Sequence, residues 1–226
     1  AVDAALKMVR DGAVIIDVGG ESTRPGAEPV SAEEEQRRVL PIIEQLAAVS
    51  NCVISVDTYR SETAALAIER GAHIVNDVWG AQRDNAIAEV AARTGAGLCL
   101  MHTGRERAKL ADVIEDQIAF LRQSLTIAET AGVSSHQIVL DPGFGFAKSA
   151  DENFRLMTRL HELHVLGRPL LVGTSRKRFV GAVLGSEAAS RDVATAATSV
   201  LLRERGASIF RVHDVSINRD ALALAD

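Results

Sequence analysis

Polar side chains follow the short apolar runs of this sequence at regular intervals. In chain order they are Asp17, Asp57, Asn76 with Asp77, His102, Asp141, Thr174 with Ser175, and Arg211 with His213 and Asp214. One polar residue at the edge of a core needs no functional explanation. Seven such positions after seven runs indicate a shared site, because the carboxyl ends of parallel strands open on one face of a fold.

The residue types narrow the chemistry. Asp57, Asp141 and Asn76 can accept from and donate to the edge of a planar, nitrogen-rich heterocycle, and Lys177 adds a donor. Hydroxyl, guanidinium and imidazole donors that suit a phosphate-type anion come from Thr23, Arg24, Arg211 and His213. Ser175 precedes a helix-like stretch whose backbone N–H groups could receive a carboxylate. A heterocycle, a charged leaving group and a carboxylate together predict group transfer rather than hydrolysis.

Other kinds of site have less support. No GxSxG-like nucleophile motif occurs, and of the six histidines only His102 and His213 end an apolar run. Cys52 and Cys99 have neither metal-ligand nor disulfide spacing. Trp79 and Arg83 follow the third run, and the sequence leaves open whether they line the site.

The apolar runs are near-continuous, rich in β-branched residues and too short for helices, which predicts buried parallel strands. They span residues 13–18, 52–57, 73–78, 97–102, 138–143, 169–174 and 208–213. Helical spacing separates them: a helix is expected from Val2 to Arg10, and capping boxes at Ser31–Glu34 and Ser149–Glu152 begin two more. Inward-facing residues are expected at Val39, Ile42, Ile43 and Leu46, at Leu110, Ile114, Ile118, Leu121 and Leu125, at Leu156, Leu160 and Leu163, and at Val193, Ala197, Val200 and Leu201.

Strict β-α alternation predicts an all-parallel sheet, either doubly wound or closed into a barrel. No GxGxxG follows an early strand, which weakens the dinucleotide-binding version. The strand spacing favours an α/β fold of the (β/α)8 TIM-barrel class whose first strand would lie ahead of Ala1. We expect one domain over residues 1–226.

Composition limits the partners. The chain has 226 residues, 47% hydrophobic and 24% charged, and a formal net charge of −5. This balance gives no general basic field, so a nucleic-acid partner is not expected. No apolar run approaches the roughly 20 residues that span a bilayer, so we expect no membrane partner. The two cysteines fit a cytoplasmic setting.

Seven segments resemble, in order and spacing, the strand-end motifs of dihydropteroate synthases. They are GGESTRPG (19–26), SVDT (55–58), NDV (76–78), MH (101–102), DPGFGFAK (141–148), SRKRF (175–179) and RVHDV (211–215). The resemblance covers essentially the whole chain. GGESTRPG, DPGFGF, the SRK turn and RVHD carry most of its specificity, whereas SVDT or NDV alone is weak.

The resemblance implies a role for each matching position. Asp57, Asn76, Asp141 and Lys177 would hold a pterin ring between Met101, Phe146 and Gly173. Arg211 would stack on the ring and bind pyrophosphate with His213. Thr23, Arg24 and Pro25 would lie on a loop that covers the pyrophosphate, and the 4-aminobenzoate carboxylate would face Lys177 and Arg178. The residues expected to be catalytic are Arg211, His213, Lys177 and Asp57.

The implied reaction joins 6-hydroxymethyl-7,8-dihydropterin pyrophosphate to 4-aminobenzoate, releasing pyrophosphate in folate biosynthesis. The family uses Mg²⁺, is a sulfonamide target and forms homodimers. Its metal-binding Asn would lie upstream of Ala1, so no metal ligand is named here. Trp79 and Arg178 stand where smaller residues are common in the family, and the loop after His102 is shorter.

Two other functions remain open on the residues alone. A pterin-binding methyltransferase on the same barrel would use Asp57, Asn76 and Asp141 but has no use for the pyrophosphate set. A catalytically silent homologue would keep the same groups and bind pterin without catalysing a reaction.

Overall fold

The computed structural model of the chain describes residues 1–22, 28–184 and 190–225. They fall into two compact units. The first comprises Ala1–Leu100 and Ser124–Ile138, and the second comprises Met101–Gln123 and Val139–Asp226. The expectation of one domain over residues 1–226 stays a prediction.

All seven apolar runs form strands. In chain order these are β1 (Ile15–Gly19), β2 (Val53–Asp57), β3 (Ile74–Asp77), β4 (Gly97–Met101), β5 (Ile138–Asp141), β6 (Leu171–Val172) and β7 (Ile209–Phe210). Each strand lies within its predicted run or extends one residue beyond it. In β2 to β5 nearly every residue is buried on both faces, which explains why these runs are apolar without alternation.

Helices follow the strands through both units. They are α1 (Val2–Arg10), α2 (Ala32–Val49), α3 (Ser61–Glu69), α4 (Ala86–Thr94), α5 (Val113–Thr130), α6 (Ala150–Thr158), α7 (Arg178–Leu184), α8 (Ser190–Arg203) and α9 (Val215–Leu222). Short 3-10 helices cover Ser135–Gln137 and Leu160–Leu166. Within the described ranges, none of the helices combines the length and apolar character that crossing a membrane requires.

In the first unit, β1 to β4 pair in parallel and in sequence order, and their register aligns the polar residues. Gly19 pairs with Asp57, and Asp57 pairs with Asn76. Asp17 lies in the middle of β1, opposite Ser55, so its prediction as a strand-end residue was wrong. The register still brings Asp57 and Asn76 side by side at the carboxyl ends of their strands. In the second unit, Leu140 of β5 bridges to Leu170, and β6 pairs with β7 in parallel.

The predicted caps begin their helices. Ser149 accepts a hydrogen bond from the N–H of Glu152 at 3.1 Å, and the Glu152 carboxylate accepts from the N–H of Ser149, which is a complete capping box. Ser31 caps α2 through the N–H of Glu34. The Glu34 carboxylate instead binds Arg37 and Arg38, so only half of that predicted box forms.

Two of the predicted inward stripes needed correction. Leu110 is 51% exposed and precedes α5, whereas Ile114, Leu121 and Leu125 are buried. The buried face of α5 also carries Gln117, because tertiary contacts there use polar side chains that a hydropathy stripe does not select.

On α8 the stripe predicted for the core faces outward. Val193 is 66% exposed, Leu201 is 42% exposed and Ala197 is also exposed. The buried side of the helix consists largely of small and hydroxyl residues, among them Thr195, Ala196, Thr198 and Ser199. Helical periodicity gave the correct spacing of the stripe but the wrong face.

We expect Leu121→Ala to lower the free energy of unfolding by about 2–5 kcal/mol, since it removes a fully buried side chain from α5. The matched control is Leu110→Ala, the same substitution at an exposed position, with an expected cost of about 0.5 kcal/mol or less. Urea denaturation followed by circular dichroism measures both. Equal losses would contradict the burial assigned to these two leucines.

Candidate active site

A buried amide in the first unit presents an acceptor beside a carboxylate. Asn76 is 4% exposed, and its Nδ2 donates to Oδ2 of Asp17 at 3.1 Å. That bond orients the amide, so Oδ1 points the other way, buried and with no hydrogen-bond partner among the described residues. Asp57 is the neighbour of Asn76 in register. A side chain at Gly19 would crowd Asp57, because its Cβ would lie 3.3 Å from that of Asp57. Asp57 and Asn76 can accept hydrogen bonds from a ligand edge that carries N–H donors.

Asp77, the next residue, has a structural role. Its buried carboxylate accepts from the N–H groups of Trp79 at 2.8 Å and Ala81 at 2.6 Å, which shapes the turn after β3. Burial raises the pKa of Asp77 to about 6, against the lowering effect of these two bonds. The Arg83 guanidinium lies over the Trp79 ring, 4.7 Å from its centroid, and at the same distance over Tyr59. Trp79 therefore packs in a cation–aromatic stack within this unit.

Arg60 binds the residues on both sides of the segment 23–27. Its Nη2 donates to Glu21 at 2.9 Å and to the carbonyl of Val30 at 2.7 Å, and its Nη1 lies 3.1 Å from the buried Glu35. The sequence gave no signal for this role. The predicted residues Thr23, Arg24 and Pro25 lie outside the described residues.

In the second unit, a turn at residues 141–147, here the Asp141 turn, presents a carboxylate and an aromatic ring. The Asp141 side chain is buried, and its Oδ1 accepts from the N–H of Gly143 at 2.7 Å. Neighbouring groups donate hydrogen bonds to five backbone carbonyls of the turn: the His102 N–H to Asp141, Gln117 to Pro142, Lys148 to Gly143, Lys177 to Phe144 and Lys109 to Ala147. The side chain of Asn153 accepts a hydrogen bond from the N–H of Gly145. Of these bonds, the one from the Gly143 N–H acts on the Asp141 carboxylate itself.

Two cations lie over the Phe146 ring. Lys177 Nζ is 4.9 Å and the Arg105 guanidinium 4.8 Å from its centroid. Burial lowers the pKa of Lys177 to about 7; the Asp141 carboxylate acts in the opposite direction, while Arg211 and Arg105 lower it further. Asp141 and Arg211 therefore both lie close enough to Lys177 to affect its charge. Because a lysine loses its proton as pH rises through its pKa, Lys177 donates as an ammonium mainly below about pH 7.

The end of β7 supplies the anion-binding residues. Arg211 donates its backbone N–H to Val172 at 2.9 Å, and a Cβ at Gly173 would lie 3.5 Å from Nε of Arg211. The exposed His213 is oriented by Ser175, whose Oγ accepts from its backbone N–H at 3.2 Å and lies 2.8 Å from Nδ1. When the Ser175 hydroxyl donates to Nδ1, the neutral ring carries its proton on Nε2, the outward nitrogen.

The remaining predicted residues are also placed in this unit. Met101 is 1% exposed, and its Cγ lies 3.2 Å from where a Cβ on Gly143 would be. Arg178 begins α7 and is exposed. The second unit thus brings together Met101, Asp141, Phe146, Gly173, Lys177 and Arg211, with His213 next to Ser175.

A buried polar cluster in the second unit was missed from the sequence. His102, completely buried, lies 2.9 Å from Oδ2 of Asp116 and 2.9 Å from Nζ of Lys148. Arg107 donates to both oxygens of Asp116, at 2.9 and 2.5 Å. Only the strand-end position of His102 signalled it, because its partners come from three other segments.

Comparison with known proteins identifies the family. A family model described as "Pterin binding enzyme" matches residues 1–213. The dihydropteroate synthase of Bacillus subtilis is 47% identical over 211 residues, which cover 93% of this chain and 74% of the relative. The chain belongs to the dihydropteroate synthase family.

Solved structures of dihydropteroate synthases are similar over the same length. That of Clostridium difficile, determined in the presence of pteroic acid, has a TM-score of 0.96 and 43% identity, covering 100% of this chain and 86% of its own. That of Xanthomonas albilineans with 4-aminobenzoic acid has a TM-score of 0.95 and 39% identity, covering 99% and 82%. The likeness to dihydropteroate synthases confirms the predicted fold class, the TIM barrel.

We expect Gly143→Ala to disrupt the Asp141 turn. Gly143 has φ +63°, and an added Cβ would lie 2.0 Å from the carbonyl oxygen of His102. Left-handed strain and overpacking together predict a loss of about 2–5 kcal/mol in unfolding free energy. Gly167→Ala is the matched control, with φ +64° and nothing within 4 Å of the added Cβ, and should cost about 1–2 kcal/mol. Thermal denaturation of both variants tests the difference, and equal losses would contradict the close approach at Gly143.

Proposed function

We propose that this protein catalyses the synthesis of 7,8-dihydropteroate from 6-hydroxymethyl-7,8-dihydropterin pyrophosphate and 4-aminobenzoate. The sustained identity to dihydropteroate synthases supports it. The observation that carries the pterin assignment is the buried Oδ1 of Asn76, which Asp17 orients and the described residues leave unsatisfied. A buried acceptor without a partner costs about 1–3 kcal/mol, which a ligand N–H recovers.

Pterin recognition is assigned to Asp57, Asn76, Asp141 and Lys177. The carboxylates and the amide would accept from the ring N–H groups, and Lys177 would donate to a ring acceptor. In this structure the Lys177 amino group donates to the Phe144 carbonyl, so binding would exchange that partner or share it. Met101, Phe146 and Gly173 would supply the apolar walls, which their burial and the missing side chain of Gly173 allow.

Pyrophosphate binding is assigned to Arg211 and His213, with Thr23 and Arg24. Arg211 would place its guanidinium over the pterin ring and donate to the leaving group, and His213 would donate through Nε2. Both groups would stabilise the negative charge that develops as the bond between the pterin methylene carbon and the pyrophosphate oxygen breaks. The bonding electron pair leaves with pyrophosphate.

The attack by 4-aminobenzoate requires that its amine be correctly positioned, and it requires no nucleophile from the protein. The amine lone pair of 4-aminobenzoate forms the new C–N bond at the electron-poor methylene carbon, and the nitrogen then loses a proton to solvent. Lys177 and Arg178 would hold the carboxylate, with Pro25 shaping the pocket. Because no covalent enzyme intermediate is required, orientation and charge stabilisation account for the catalysis.

Mg²⁺ enters the proposal as a counter-ion of pyrophosphate. Among the residues that the structure describes, no group of three His, Cys, Asp or Glu side chains could hold a metal. These side chains therefore do not fit a site in which the protein alone encloses the ion, and no step above is assigned to it.

The proposal includes three finer points. Sulfonamides would compete with 4-aminobenzoate, because their aryl amine has the same shape. The protein would act in the cytoplasm. It would form a homodimer, for which the exposed apolar stripe of Val193, Ala197 and Leu201 on α8 offers a surface.

The deciding assay supplies the protein with the pterin pyrophosphate and Mg²⁺ and follows pyrophosphate and dihydropteroate. We expect one pyrophosphate per dihydropteroate, only when 4-aminobenzoate is present, and slower turnover with a chelator. Tight pterin binding without product would favour a silent homologue. Methyl transfer from methyltetrahydrofolate to a corrinoid protein would favour the methyltransferase.

We expect Arg211→Ala to lower turnover by about 10²–10³-fold, since it removes one charge-stabilising donor. Arg155→Ala is the control, an exposed arginine of α6 that pairs with Asp151. Steady-state kinetics on variants with unchanged circular dichroism give the comparison. Near-normal turnover in a folded Arg211→Ala protein would remove Arg211 from the mechanism.

A further inference from the structure

Lys148 is a buried cation that the proposed reaction does not use. Its amino group donates to the carbonyl of Gly143 at 2.9 Å and to Nδ1 of His102 at 2.9 Å, and it lies 3.5 Å from the carbonyl oxygen of Phe146. Its contacts are thus with backbone and a buried imidazole. Lys148 therefore spans the Asp141 turn from the carbonyl of Gly143 to the carbonyl of Phe146, whose ring is the expected aromatic wall.

We propose that Lys148 is a positioning residue that sets the Asp141 carboxylate and the Phe146 ring for the pterin. This inference rests on the function proposed above and deepens it. Lys148 would act through the turn and would not touch the substrate.

The backbone of the turn makes such a residue necessary. Gly143, Gly145 and Ala147 have φ values of +63°, +80° and +50°. The left-handed conformation costs a non-glycine residue about 1–2 kcal/mol, so Ala147 holds it only under external constraint. The turn's own hydrogen bonds are few: the Phe146 N–H donates to the Gly143 carbonyl at 3.1 Å, and the Gly143 N–H to Asp141. Lys148 binds the same Gly143 carbonyl, and the bond is charge-assisted while the amine is protonated.

His102 determines which way Lys148 points. Burial, together with the positive charge of Lys148, lowers the pKa of His102 to about 3, so the ring is neutral at physiological pH. A neutral ring has one donor and one acceptor nitrogen. The Asp116 carboxylate can only accept and the Lys148 ammonium can only donate, so the tautomer that satisfies both has Nε2–H toward Asp116 and Nδ1 accepting from Lys148. The Arg107 guanidinium also lies 2.8 Å from Nε2, and it is Asp116 that accepts from Arg107 in this arrangement.

Asp116 closes the network. Burial opposes its negative charge, but hydrogen bonds from His102 and Arg107 lower its pKa, so it stays ionised. His102 also donates its backbone N–H to the Asp141 carbonyl at 2.8 Å. One residue thus holds the start of the turn by its main chain and orients Lys148 by its side chain.

A neighbouring lysine provides a matched control. Lys109 donates to the carbonyl of Ala147 at 2.9 Å and to Glu152 at 2.6 Å, at the partly exposed end of the same turn. It contacts neither His102 nor Gly143 in any described bond. Lys109→Met therefore removes a cation from the turn without removing the buried support.

The test compares Lys148→Met with Lys109→Met in the full chain. For Lys148→Met we expect the KM for the pterin pyrophosphate, and the Kd for pteroic acid by calorimetry, to rise about 10- to 100-fold, as for a lost hydrogen bond to a charged group. The KM for 4-aminobenzoate and kcat at saturation should change by about 2-fold or less, and Lys109→Met should leave all of these within about 2-fold. Wild-type pterin affinity in a folded Lys148→Met protein overturns the proposal.

Hydrogen exchange read by mass spectrometry gives a measurement independent of activity. Amides of residues 141–148 should exchange faster in Lys148→Met, whereas those of β7 should not change. Uniformly faster exchange throughout the protein would mean a general loss of stability and would overturn a positioning role.

Lys148→Gln keeps the proposal testable if the Met variant does not fold. It retains an N–H donor on a shorter side chain, and we expect a pterin affinity loss of about 3- to 10-fold. Wild-type affinity in that variant rejects the inference. If the wild-type protein makes no dihydropteroate, the proposed function fails instead, and the exchange measurement still decides whether Lys148 holds the turn.

Discussion

The backbone of the Asp141 turn is the constraint on which most of the second unit depends. The chain leaves β5 and reverses through left-handed residues at Gly143, Gly145 and Ala147. This geometry turns its carbonyls toward surrounding side chains, and buried backbone groups must find partners. Gln117, Lys148 and Lys177 supply the donors. The contacts that satisfy the turn therefore also aim the Asp141 carboxylate and the Phe146 ring.

Charge is distributed unevenly against the net −5 of the whole chain. The second unit gathers Lys148, Lys177, Arg105 and Arg211, and burial lowers the pKa of both lysines to about 7. The neutral His102 ring lies between Lys148 and Asp116, and the Arg107 guanidinium pairs with the Asp116 carboxylate. Local cation density of this kind attracts an anion that the overall charge would repel. Within the first unit, Asp57 and the oriented amide of Asn76 present acceptor oxygens.

Local patterns predicted the elements well because their causes are local. The bounds of α1 agree with the predicted Val2 to Arg10, and the Ser149–Glu152 box forms because both partners lie within one turn of helix. The ends of the apolar runs predicted site residues at Asp57, Asn76, Asp141 and Arg211, because the carboxyl ends of parallel strands open on one face of a fold. Predictions that needed a neighbour's position were wrong: Leu110 is exposed, Asp17 lies mid-strand, and the apolar stripe of α8 faces outward.

The sequence by itself determined the order of strands and helices, the fold class, the family, and the chemical groups placed at the strand ends. Only the tertiary structure decided what those groups do, because burial and hydrogen bonding depend on residues far apart in the chain. His102 looked like a site residue and is instead a neutral buried support, since Asp116, Arg107 and Lys148 surround it. Lys148 ends the DPGFGFAK segment, but the sequence assigned it no role. Its role depends on His102, which is 46 residues away in the sequence and whose Nδ1 lies 2.9 Å from the Lys148 amino group in the folded chain.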